Sequence, residues 1–178
     1  MECGETIGRG FARITRIGPD KRKNMEVFPK DLAELDNCAS LYLRDIAEPE
    51  QNNLRLRIEE AFVMPKEVNV EFGGTQITNC HLVRPTAESR LFEIVWNSYV
   101  AYSVMNESYS TRTESEGFSG RFARLYSKSH FLDYISRATL ASKEYPGPLQ
   151  HIQLICECHI IDVVSTKFPQ VSQSRRRS

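Results

Sequence analysis

The run from Leu91 to Met105, Leu-Phe-Glu-Ile-Val-Trp-Asn-Ser-Tyr-Val-Ala-Tyr-Ser-Val-Met, is dense in β-branched and aromatic residues and contains neither Gly nor Pro. Such a segment fits a pleated, half-buried surface, so it predicts one long β-strand around which the fold is organised. Side chains alternate across a strand, which puts Phe92, Ile94, Trp96, Val100, Tyr102 and Val104 in one apolar row. The other row mixes Leu91 and Val95 with Glu93, Asn97 and Ser103, so one face is core and the other suits the lining of a groove. Fifteen extended residues would span about 50 Å, so the strand must bend sharply or be split by a bulge.

A second strand signal lies between Leu54 and Phe62. Leu54, Leu56, Ile58 and Phe62 alternate with Arg55, Arg57 and Glu59. One wet face and one dry face is the mark of an antiparallel sheet, because parallel strands are covered on both sides. Asn52-Asn53 reads as the turn before this strand, Pro65 as its end, and Gly73-Gly74 as a tight bend or bulge after Val68, Val70 and Phe72. Thr75 to Val83 resumes extended structure, and Leu149 to Ser165, beyond Pro146-Gly147-Pro148, reads as another strand. Asp31 to Asp45 reads as a short helical turn followed by a short strand. Phe131, Ile135 and Ala138, behind a capping Ser127 or Ser129, place the main helix. The predicted fold class is α+β: a predominantly antiparallel, strongly twisted sheet or open barrel with one main helix packed on it.

With 178 residues the chain is long enough to bury a core without staples. Residues 31–169 read as a single globular β-rich domain. Residues 1–30 read as a flexible basic arm containing Gly4, Gly8, Gly10 and Gly18, and residues 170–178, with Arg175, Arg176 and Arg177, as a disordered basic tail. Lys plus Arg and Asp plus Glu both number 23, so no global field draws the protein to nucleic acid or an anionic membrane. Nucleic acid is left only the basic termini as a footing, and no apolar run is long enough to cross a bilayer. The N-terminal segment lacks the pattern of a secretory signal. Five cysteines without regular spacing point to reduced thiols and a cytoplasmic location.

Three constellations invite a chemical reading. His159 and Asp162, with Glu107 or His130, hold the residue types of a general acid-base set, although an offset of three sends strand side chains to opposite faces. Cys80, His81, Cys156 and Cys158 supply thiolate and imidazole suited to zinc, at a spacing that structural zinc sites do not use. The polar and aromatic residues Asn97, Tyr99, Ser103, Asn106, Glu107, Tyr109 and His151 are the candidate binding set. Buried thiols, satisfied histidines and ordinary turns account for most of these residues, and no cofactor is implied. The functional expectation is a non-enzymatic interaction protein, inhibitor- or immunity-like, that recognises a protein partner through the mixed sheet face or polar loops. The alternative is a ligand binder or acid-base enzyme in which Asn97, Tyr99, Glu107, His151, His159 and Asp162 converge in a concave sheet.

Overall fold

A computed structural model describes residues 29–111 and 114–175. The basic arm expected over residues 1–30 therefore lies almost entirely outside the described residues. From Lys30 the chain runs through α1 (Lys30–Asp36), β1 (Ser40–Ala47), β2 (Leu54–Phe72), β3 (Thr75–Arg84) and β4 (Arg90–Trp96). It continues as β5 (Ala101–Asn106), a 3-10 turn (Glu107–Tyr109), β6 (Gly117–Ser119), β7 (Ala123–Lys128), α2 (His130–Ala138), β8 (Gln150–Ile155), β9 (His159–Ser165) and β10 (Gln170–Arg175).

The strands form two five-stranded antiparallel sheets. One has the order β1-β2-β4-β10 with β3 also on β2, and the other runs β5-β9-β8-β7-β6. The alternation that marks β2 does what the sequence demands: Leu54, Leu56 and Ile58 are fully buried and pair across to Trp96, Ile94 and Phe92 of β4. Opposite them in the same core stand Ile152 and Leu154 of β8, Ile161 and Val163 of β9, Ala123 of β7, and Leu32 and Leu35 of α1. The antiparallel, β-rich character is as predicted, and among the described residues the helices are α2 and the short α1, where a helical turn was expected.

Three segments depart from the sequence reading. The run Leu91 to Met105 is two strands, because Asn97 to Val100 leaves the first sheet and enters the second. This break resolves the excessive length of a single strand. The run Leu149 to Ser165 is a hairpin whose two-residue turn, Glu157-Cys158, is closed by the reciprocal backbone pair of Cys156 and His159. Gln170–Arg175, taken as tail, instead forms β10 in register with β4, Val171 opposite Ile94 and Gln173 opposite Phe92. An edge strand needs few apolar side chains, and Val171 alone packs on the core.

Candidate functional site

The outer face of the second sheet carries the most complete chemical constellation. His151 on β8 stands opposite Val164 and diagonal to Asp162 on β9, whose direct partner is Gln153. Diagonal positions share a face, so His151 Nε2 lies 2.9 Å from Asp162 Oδ1. Its Nδ1 lies 2.8 Å from the hydroxyl of Ser129, the N-cap of α2. A ring nitrogen facing a carboxylate carries the proton, so Nδ1 accepts from the Ser129 hydroxyl. The same oxygen accepts the Leu132 amide at 3.0 Å, satisfying one orphan donor of α2. Gln153 donates to Asp162 Oδ1 at 2.8 Å and in turn accepts from Tyr126 and Arg124 at 3.0 and 3.2 Å.

Hydroxyl, imidazole and carboxylate are thus connected in the order used for nucleophilic catalysis. They are also sealed. Ser129 and His151 are 1% exposed and Asp162 is 8% exposed. Tyr126 stacks on the His151 ring at 4.5 Å, and Phe131 of α2 leans on it at 5.4 Å. Burial pushes the Tyr126 phenol upward in pKa, with Arg124 opposing. A nucleophile that solvent does not reach cannot meet a substrate, so this arrangement seats the cap of α2 on the sheet.

The other predicted site residues are dispersed. Asp162 partners His151 and not His159, because His159 shares the core-side face with Ile161. His159 lies at the opposite end of the strand, paired with Asn106, and the Glu107 amide there donates to Cys158 O at 3.2 Å. Asn106 caps the 3-10 turn through the Ser108 amide, an ordinary turn role. Glu107 and Tyr109 are exposed, and Ser103 faces Asp162 in register.

Of the candidate metal ligands, Cys80 and His81 are on β3, with His81 Nδ1 2.8 Å from Met64 O. Cys156 is buried in the core, where desolvation pushes its thiol up to about 12, while Cys158 is exposed in the turn. Among the described residues, no three His, Cys, Asp or Glu side chains gather as a group able to hold a metal.

A concave surface lies elsewhere. Where the chain passes between sheets, Ser98, Tyr99 and Val100 form one wall of a cleft of about 310 Å³. The other walls are Thr139, Ala141, Tyr145 and Pro146 from the segment after α2, and Thr166. Tyr99 and Tyr102 meet edge to face at 5.2 Å, and both hydroxyls donate to Glu48, at 2.8 and 2.9 Å. That shared carboxylate raises both phenol pKa values and fixes the Tyr99 ring at the cleft wall. Tyr145 on the cleft wall is 72% exposed; Leu140, between the lining residues Thr139 and Ala141 in sequence, is 91% exposed. Of the predicted binding set, Tyr99 lines this cleft and exposed Asn97 adjoins it. Leu140 and Tyr145 escape a sequence reading because two apolar residues in a polar loop carry no periodicity; Pro146-Gly147-Pro148 is their sole marker. Comparison with known proteins finds no family model, no curated relative and no solved structure that matches this chain.

Proposed function

We propose that this chain is a non-enzymatic interaction protein that recognises a protein partner through the cleft between Tyr99 and Tyr145. The observation that carries this reading is a depression walled by two tyrosines, Tyr99 and Tyr145, of which Tyr145 is 72% exposed. Single exposed apolar residues are normal on a protein surface, but an exposed aromatic on the wall of a concave depression suits an interaction site. Tyrosine at such places offers a large rigid area with a polar tip, the composition of interface anchors. The separation of His151 from His159 and Glu107 supports this reading over an acid-base enzyme, as does the sealing of the Ser129, His151 and Asp162 chain.

The four cysteines among the described residues are free, which suits a reducing compartment and supports the cytoplasmic assignment. No helix among the described residues is long and apolar enough to cross a membrane. Quantitative affinity capture from the native cell tests the function. A partner held by the unaltered protein and lost, by tenfold or more, with Leu140→Asp plus Tyr145→Ala supports it. Recovery of the same proteins by both forms overturns it.

A further inference from the structure

Beyond Ala61, β2 leaves both of its sheet neighbours: β1 pairs with residues 55–61 and β4 with residues 54–59, while residues 62–72 pair with β3 alone. The result is a two-stranded ribbon roughly 30 Å long at the usual rise per residue. Its tip is the two-residue turn Gly73-Gly74, closed by Phe72 opposite Thr75, with φ of +57 and +79. Positive φ at both central residues is the requirement of a type I′ hairpin turn and the reason for two glycines.

Register fixes what each face carries. Val68 pairs with Cys80 and Val70 with Ile77, and Met64 and Leu82 continue the same row. This row extends the core-facing side of β2, yet Val70 and Leu82 are exposed and the others half-buried. Glu67 and His81 lie on the reverse.

Most free edges of the two sheets are guarded. β1 carries Arg44 and Asp45 with a bulge between Leu43 and Asp45, and the outer side of the β2 ribbon carries Pro65, Lys66, Glu67 and Glu71 with a two-residue bulge. β6 is three residues long and β10 ends in Arg175; β5 carries no charge, proline or bulge, but has six residues against the ten of β3. Short length, charge, proline and bulges are the devices that keep strand edges from pairing with other chains. β3 has ten residues, and from Thr75 to Val83 there is no Lys, Arg, Asp, Glu or Pro. Its bulge falls at Asn79 alone, where φ is +60.

We infer that the free edge of β3 pairs antiparallel with β3 of a second copy of this chain, joining two ribbons into one four-stranded sheet about a two-fold axis. A two-fold axis brings each strand against its own image, so a charged strand repels itself while β3 does not. From Thr75 to Val83 no charged side chain stands to oppose its own image. The pairing also keeps the apolar rows of both copies on one continuous face. Strand addition at a ribbon edge falls at the small end of interface sizes, so association is weak and concentration-dependent. This surface is separate from the cleft at Tyr99, so the two readings stand or fall independently.

Sedimentation equilibrium of the full chain over about 5–500 µM, the regime of small interfaces, tests the pairing. The weight-average mass is expected to climb from the monomer value of 20.4 kDa toward twice that. Thr78→Lys alone and Thr78→Glu alone are each expected to weaken association at least tenfold with unchanged circular dichroism. Mixing the two variants is expected to restore it, an outcome that ribbon unfolding would not produce. A chain that stays monomeric at every concentration leaves the edge to an unlike strand and overturns the proposal. Association untouched by either variant, or unrestored on mixing, overturns it as well.

Discussion

At the scale of single residues, Glu60, Arg90 and Cys38 form a largely buried set whose charge states are set by one another. Glu60 receives Arg90 through two bonds, Nε at 2.8 Å and Nη2 at 3.0 Å. The Arg90 guanidinium holds the Glu60 carboxyl below its usual range, against the opposing effect of burial. The same Arg90 donates to Cys38 Sγ at 3.1 Å, and burial, with Glu60 next, pushes that thiol up to about 12, so it is a protonated core group. A carboxylate depressed on folding stabilises the native state above its unfolded pKa of about 4.3, and that contribution is lost as pH falls through the folded value. Glu60→Gln is therefore expected to cost about 2 kcal/mol at pH 7. The gap from wild type should close below about pH 4 as the native carboxyl protonates. Urea titrations at several pH values check it; a gap that is constant down to pH 3 contradicts the assignment.

At the scale of elements, what needs explaining is how α1 stays in place, since a helix of seven residues is not stable alone. Leu32 and Leu35 bury completely, and the Asp36 carboxylate receives the backbone amides of Arg121, Phe122 and Ala123 at 2.8, 2.7 and 2.9 Å. Gly120 makes that nest accessible: its φ is +100, and a Cβ there would stand 1.9 Å from Ala123 O. Asp36→Ala is expected to cost about 2–3 kcal/mol, because charged acceptors are worth more than neutral ones and the amides lose their acceptor. Calorimetry should show the Tm lowered by roughly 5–10 °C.

Elements with a strong local rhythm were legible from sequence. β2 announced itself by Leu54, Leu56 and Ile58, and α2 by Phe131 and Ile135 behind Ser129. Features set by distant pairing were not. The nest around Asp36 and the meeting of His151 with Asp162 depend on register between strands, which no spacing encodes. β10 stayed hidden because β4 supplies its ladder and its own residues need only be compatible. The Glu157-Cys158 turn lacks the Gly or Asn that usually betrays a hairpin.

At the scale of the molecule, the two sheets share one core, so neither has an apolar interior of its own. Trp96, Phe92 and Ile94 from one and Ile161, Val163 and Leu154 from the other belong to a single buried cluster. Cooperative unfolding in one transition is therefore expected, with calorimetric and van't Hoff enthalpies equal within error. Two separable transitions would show that the sheets are independent units. The departure of β2 and β3 from this core has the opposite meaning. Their ribbon draws no stability from the centre, and its tip is free to respond to whatever it touches without disturbing the rest.

The course of the chain also sets an order of events. β4 belongs to the first sheet, yet its outer neighbour is β10, and β5 to β9 of the second sheet come between them in the chain. On the ribosome, β4 must therefore wait with one flank bare until β5 to β9 have emerged and Gln170–Arg175 follows. A chain stalled or clipped before Gln170 would present Arg90–Trp96 as an open seam, and quality-control machinery that grips unpaired backbone would find it there.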